Sequence, residues 1–198
     1  MRDFPLAIFF SGNGSNMQNL YEQLHHKDFM GVRLCVCAVV CNNASAYGIT
    51  RAEALGAPCL VVPHRHKTRE EFEGEIVQAL APFAPKLCIL AGFMRILSPH
   101  FLRHYPAINI HPSILPLFKG AHAIKESFES DMKIAGVSVH WVSEELDGGA
   151  IIDQAAFHRK ETPTFESFEQ KIHALEYELY PRAVLQALQQ SFLKADIG

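Results

Sequence analysis

A chain of 198 residues can bury one substantial core and has little room for a second, so a single domain over 1–198 is the default. Apolar residues make up 48% and charged residues 20%, which excludes a mainly disordered chain. With 18 basic against 21 acidic side chains the net charge is −3; that argues against a nucleic-acid partner while leaving room for a local anion pocket.

The first apolar run, residues 6–10, is too short for a signal core or a membrane span, so a cytoplasmic protein with no membrane partner is expected. It is followed by further short apolar runs at 33–41, 59–62, 87–90 and 107–110, each bounded by glycine, proline or polar residues. Such runs read as buried parallel strands. Helical patterns lie between them at 17–25, 46–55 closed by Gly56, 69–80, and a short turn at 99–104. Thr68 with Glu71 has capping-box spacing, and Ser98-Pro99 puts a cap residue before a proline at the first helical position. The alternation predicts an α/β fold, a Rossmann-like, mostly parallel sheet with helices on both faces.

Past residue 110 the rhythm changes. Residues 111–120 are proline-rich and loop-like, and a helix is expected near 121–130. Two longer strands, 133–142 and 150–158, joined by a turn at 145–149, should extend the sheet with an antiparallel member. A final amphipathic helix runs from about 165 to 192, with Pro181 bending or restarting it. The two halves of the domain divide at about residue 105. The five cysteines (Cys35, Cys37, Cys41, Cys59 and Cys88) form no C-x-x-C pair and read as reduced core residues rather than disulfides or metal ligands.

Three constellations could carry chemistry. Ser11-Gly12-Asn13-Gly14-Ser15-Asn16 follows the first strand and opens the first helix, where unpaired amides and the positive end of the helix dipole suit a phosphate. A tight turn capped by Ser15 or Asn16 is the plainer alternative. The run fits neither G-x-x-x-x-G-K-[ST] nor a complete G-x-G-x-x-G, so neither a nucleoside triphosphate nor a dinucleotide is implied.

Asn109-Ile110-His111-Pro112-Ser113 lies at the carboxyl end of the fifth parallel strand, where open α/β sheets place their ligands. Strand alternation sends Asn109 and His111 to one face, so an amide donor and a titratable imidazole can meet one reacting group. A histidine that merely bonds backbone at a strand end fits the same pattern. The third constellation is 144–149, whose Asp147 stands beside a Gly-Gly pair. On its own it is a hairpin turn with an aspartate at its tip; beside His111 the carboxylate would favour the charged imidazole. The pairs His25-His26 and His64 with His66 read as solvated ends of elements. His100 and His104 are one turn apart but lack a third ligand, so no metal is expected. Arg95 interrupts an apolar run at a strand terminus.

Taken in order, SGNGSN at 11–16, AGFMRILSP at 91–99, NIHPS at 109–113 and ELDGG at 145–149 resemble the phosphoribosylglycinamide formyltransferase family, and the likeness runs on to the Glu-Tyr-Glu-Leu-Tyr-Pro stretch at 176–181. The resemblance implies a formyltransferase fold, 10-formyltetrahydrofolate as co-substrate, no metal, and small-molecule partners only, in a monomer or homodimer. It implies Asn109, His111 and Asp147 as the catalytic trio and His140 as a supporting histidine. It assigns Gly14, Ser15 and Asn16 to the substrate phosphate and Glu176 to substrate contact. His173 stands where the family commonly has Lys or Gln. On the folate side it implies Arg69 near the glutamate tail, Met94, Arg95, Ile96 and Leu97 along the pterin pocket, and Ser143, Glu144, Glu145, Leu146 and Asp147 over the pterin. Val137, where Thr is commoner, and 117–122 in the family's mobile loop are departures.

The mechanism this implies is direct transfer, with the glycinamide amine attacking the formyl carbon while Asn109 and protonated His111 stabilise the oxyanion. The rivals are a 10-formyltetrahydrofolate hydrolase, in which water replaces the amine, and a non-catalytic nucleotide-binding module. The hydrolase usually has an extra N-terminal regulatory domain, and methionyl-tRNA formyltransferase a C-terminal RNA-binding domain for which 198 residues leave no room.

Overall fold

The computed structural model describes residues 1–195, and their contacts cluster into two compact units, Met1–Ile108 and Asn109–Gly198. The first unit holds β1 (Arg2–Phe10), α1 (Ser15–Leu24), β2 (Asp28–Phe29), β3 (Val32–Cys41), α2 (Gly48–Ala54), β4 (Cys59–Val61), α3 (Arg69–Leu80), β5 (Leu87–Leu90) and α4 (Pro99–His104). Strand β6 (Ala107–His111) begins at its end and carries the chain into the second unit, with α5 (Ala123–Glu129), β7 (Ile134–Trp141), β8 (Ile151–His158) and α6 (Phe165–Ala195).

In the first unit β1 lies between β3 and β5 and is parallel to both, and β4 is parallel to β3. Every side chain from Leu6 to Phe10 is fully buried, as expected for a parallel strand covered on both faces. Phe9 meets the edges of Phe93 and Phe101 at centroid distances of 5.3 and 5.9 Å. Truncating such a ring to Ala costs about 3 to 5 kcal/mol.

The strand starts four residues before the apolar run, because its polar end pairs with β3 alone: Arg2 lies opposite Val32, and Arg33 bonds Asp3 at 3.0 Å. Pro5 is tolerated there, since pairing with β5 begins only at Leu6. Strand β2 had no sequence signal. It is the short arm of a hairpin to β3, closed by Met30 and Gly31 at φ 46° and 83°, and methionine is an unusual residue for that conformation.

Helices α3 and α4 match their expected bounds, with the Thr68–Glu71 capping box and the Ser98 cap both formed. Helix α2 starts at Gly48 rather than 46, because the Asn43 side chain accepts from the Ser45 amide at 3.1 Å and holds 43–46 as a turn. Burial pushes the thiols of Cys37 and Cys59 up to about 11 and raises those of Cys35, Cys41 and Cys88; such thiols are poor nucleophiles.

In the second unit β7 pairs antiparallel with β8, which is the expected antiparallel member. The register slips between Val139, opposite Asp153, and His140, opposite Ile151, so Ile152 is an extra residue on β8, a β-bulge. Helix α6 runs through Pro181 as one element of 31 residues, so the proline does not restart it. The helix packs on β7, β8 and α5 and buries Phe168, Ile172, Leu179, Tyr180 and Val184. No helix among the described residues is long and apolar enough to cross a membrane.

Candidate active site

The loop between β1 and α1 is shaped by close backbone approach. Gly14, at φ 74°, caps α1, and a Cβ there would stand 2.7 Å from Gly48 Cα. The cap residue is Gly14, which has no side chain, rather than Ser15 or Asn16, and the first turn holds no acidic residue. An α-helix has no internal acceptors for its first N–H groups, so this start suits an anion. Residues 11–16 line a concavity together with Ala91, Gly92 and Met94.

The Ser11 amide donates to the Gly92 carbonyl at 3.1 Å, and its hydroxyl accepts from the Met94 amide at 2.8 Å. The 91–98 segment is thereby tied to the loop. Met94 and Ile96 are exposed while Leu97 is buried, so Leu97 offers only backbone to a ligand. Arg69 reaches this segment, donating to the Ile96 carbonyl at 3.2 and 3.0 Å. Beneath it the buried carboxylate of Glu73 accepts from the Ser98 amide at 2.7 Å and from the Ser98 hydroxyl, with Arg69 Nε 3.7 Å away. Sequence reasoning missed Glu73, which joins positions 25 residues apart and leaves no local pattern.

In the second unit, β6, β7 and the loop after β7 bring Asn109, His111, His140 and Asp147 together. His111 Nδ1 lies 3.4 Å from Asp147 Oδ2, and His140 Nε2 lies 3.6 Å from Asp147 Oδ1 and 3.4 Å from the Asn109 amide nitrogen. His140 Nδ1 donates to the Trp141 carbonyl at 2.9 Å, which fixes its ring. Asp147 sits at φ 49°, a left-handed conformation that Asp and Asn adopt more readily than other side-chain-bearing residues. Burial raises the Asp147 pKa, but the hydrogen bond to His140, the Gly120 amide, and the charges of His111 and His140 outweigh it and hold the carboxyl below its usual range.

Three consecutive residues outside the predicted set close this cluster. His111 Nε2 donates to the Phe118 carbonyl at 2.8 Å, Lys119 Nζ bonds Glu145 Oε1 at 2.6 Å, and the Gly120 amide donates to Asp147 Oδ2 at 2.9 Å. Both ring nitrogens of His111 therefore face acceptors, and only the doubly protonated ring can donate to both. Ser143 donates to the Glu145 carbonyl at 3.2 Å, while Glu144 and Leu146 are exposed. The segment 118–120 lacks a motif of its own, and the sequence marked it only through the family resemblance, as part of a mobile loop at 117–122.

His173 and Glu176 form a pair on α6: Nδ1 donates to Oε2 at 2.9 Å, with Glu176 buried and His173 half-exposed. Hydrogen bonding to Glu176 raises the His173 pKa against the opposing effect of burial, and the charges of Glu176 and Glu169 add to the rise. Of the histidines expected as solvated ends, His26 and His66 are exposed, whereas His25 and His64 have backbone partners. His25 Nδ1 accepts from the Val36 amide at 3.1 Å, and His64 Nδ1 lies 2.9 Å from the Asn42 carbonyl. Among the described residues no three His, Cys, Asp or Glu side chains gather as a metal ion would require.

The formyl transferase family matches residues 5–184. The chain is 37% identical to the phosphoribosylglycinamide formyltransferase of Bacillus subtilis over 185 residues, covering 92% of this chain and 93% of that protein. It is 35% identical to the protein of the same name from Escherichia coli over 182 residues, 90% of this chain and 84% of that one. Among solved structures, that of phosphoribosylglycinamide formyltransferase from Campylobacter jejuni superposes with a TM-score of 0.89 at 53% identity, over 94% of this chain and 98% of that one. A match that extends from residue 5 to residue 184, and so includes residues of both units, has one consequence: the chain belongs to the formyl transferase family.

Proposed function

We propose that this chain transfers the formyl group of 10-formyltetrahydrofolate to the amine of 5'-phosphoribosylglycinamide, giving the N-formyl product and tetrahydrofolate in de novo purine biosynthesis, in the cytoplasm. The observation that carries the reading is the joining of Asn109, His111 and His140 around the Asp147 carboxylate. It is an arrangement of donors beside one fixed negative charge, suited to a carbonyl that becomes an oxyanion.

The uncharged amine attacks the formyl carbon, a C–N bond forms, and the carbonyl electron pair moves onto oxygen. The Asn109 amide and the His111 imidazolium, which exchanges its Phe118 partner for this oxygen, stabilise the tetrahedral intermediate. Asp147 keeps the imidazolium charged and His140 holds both Asp147 and Asn109 in place. Collapse of the intermediate breaks the bond to N10 of the folate. The proton lost by the amine reaches that nitrogen through water. The loop at 11–16, with Gly14, Ser15 and Asn16, takes the phosphate, and His173 with Glu176 contacts the same substrate. Arg69, Met94, Arg95, Ile96 and Leu97 receive the folate, with Ser143, Glu144, Glu145 and Leu146 over its pterin; exposed Met94 and Ile96 supply apolar surface for it.

The test is an assay of folate deformylation with and without the ribonucleotide. Deformylation that requires the ribonucleotide and yields its N-formyl derivative supports this function. Deformylation without it identifies a hydrolase, and binding with no turnover identifies a binding module; either result overturns the proposal.

A further inference from the structure

Helix α2 begins against the loop proposed to hold phosphate. The Gly48 amide donates to the Gly12 carbonyl at 3.0 Å, and neither Gly14 nor Gly48 has room for a side chain: a Cβ on Gly14 would meet Gly48 Cα, and one on Gly48 would meet the Phe10 ring. One turn further along α2 comes Arg51. Its Nε donates to the Asn13 carbonyl at 3.0 Å, and Nε and Nη2 reach Asn13 Oδ1 at 3.2 and 3.0 Å. Nη1 donates to Gln18 Oε1, and the Tyr47 ring lies 5.1 Å from the guanidinium carbon. All three guanidinium nitrogens donate, in a planar arrangement that a lysine could not reproduce.

Asn13 stands directly before the helix cap. An asparagine side chain readily accepts the amide two residues ahead, and Asn43 does so to Ser45 in this molecule at 3.1 Å. For Asn13 the amide two residues ahead is that of Ser15, one of the groups assigned above to phosphate. Here the cap residue itself, Gly14, has no side chain, and the backbone carbonyl and Oδ1 of Asn13 both accept from Arg51.

We infer that Arg51 is a positioning residue for phosphate recognition: its guanidinium holds Asn13 by both oxygens, so that the carboxamide does not close the start of α1, and it sets a permanent positive charge beside that start. The inference rests on the reading of 11–16 as a phosphate site and adds the residue that keeps that site open. No contact between Arg51 and the reacting atoms is implied.

The experiment compares the phosphorylated substrate with the same glycinamide riboside lacking its phosphate. In Arg51→Met, KM for the phosphorylated substrate rises about 10- to 100-fold, as for loss of charge-assisted bonds. The folate KM, kcat and the kcat/KM of the riboside stay within about twofold, since only uniform binding is removed. Arg51→Lys, which keeps the charge but not the fork, remains impaired. Adding Asn13→Gly to Arg51→Met recovers part of the lost KM by removing the competing carboxamide.

An unchanged KM in Arg51→Met overturns the inference, as does full recovery in Arg51→Lys or no recovery in the double variant. If Arg51→Met does not fold, the lysine variant alone decides, since wild-type KM there is incompatible with a role for the fork. Wild-type protein that treats riboside and ribonucleotide alike would sink the phosphate reading itself, whereas wild-type discrimination with an indifferent Arg51→Met sinks only the role of Arg51.

Discussion

Asp147 turns its Oδ2 toward His111 Nδ1 at 3.4 Å while its other oxygen faces His140. Asp147→Asn keeps the shape and suits the left-handed backbone but removes the charge, so turnover should fall on the order of a hundredfold or more. The depressed pKa of Asp147 has a stability consequence. A carboxyl whose folded pKa lies below its unfolded value of about 3.9 stabilises the fold above that value and loses the contribution as pH falls through the folded pKa. Urea midpoints of wild type and Asp147→Asn should differ most near neutrality and converge toward pH 3; equal differences at both pH values would contradict the assignment.

In the proposed mechanism Asn109→Ala and His111→Ala each remove one donor from the developing oxyanion. Steady-state turnover should drop on the order of a hundredfold in each, with unchanged circular dichroism. Near-normal turnover in both variants would refute the mechanism.

The His173 pKa is raised mainly by its hydrogen bond to Glu176. A raised folded pKa means that the pair stabilises fully below the unfolded histidine value of about 6.5 and loses that contribution as pH rises through the folded pKa. An NMR titration should place wild-type His173 above that reference and move it down in Glu176→Gln. If His173 also contacts substrate, KM for the ribonucleotide should rise over the same interval as the proton leaves.

Gly14→Ala forces a Cβ to within 2.7 Å of Gly48 Cα at a residue with φ 74°. The left-handed backbone alone costs about 1 to 2 kcal/mol, and the clash adds to it. Chemical denaturation should read at least that loss, together with weaker ribonucleotide binding. A variant as stable as wild type would mean that the loop has room it does not display.

The strands were legible because burial on both faces writes continuous apolar runs such as Leu6 to Phe10, and the helix starts because Thr68 and Ser98 cap their own next turn. Asn109 and His111 were legible as a pair through strand alternation, whereas their approach to Asp147 entered only through the family resemblance. What stayed hidden was carried by contacts between distant positions: Arg51 with Asn13 across 38 residues, Glu73 with Ser98 across 25, and Gly120 with Asp147 across 27. No local period encodes such pairings. Polar interruptions hid the rest, since Asp3 and Pro5 look like a loop until Arg33 and the far side of β3 supply partners.

The bulge at Ile152 stands level with His140 on the neighbouring strand. An inserted residue sharpens the local twist of a strand pair, so the chain leaving β7 and returning to β8 is swung by a fixed amount where the 142–150 crossing departs. Deleting Ile152 would straighten the ladder and redirect that crossing, carrying Asp147 away from a histidine that had not itself been touched. One surplus residue on β8 thus offsets the strand pair beside the crossing that carries Asp147.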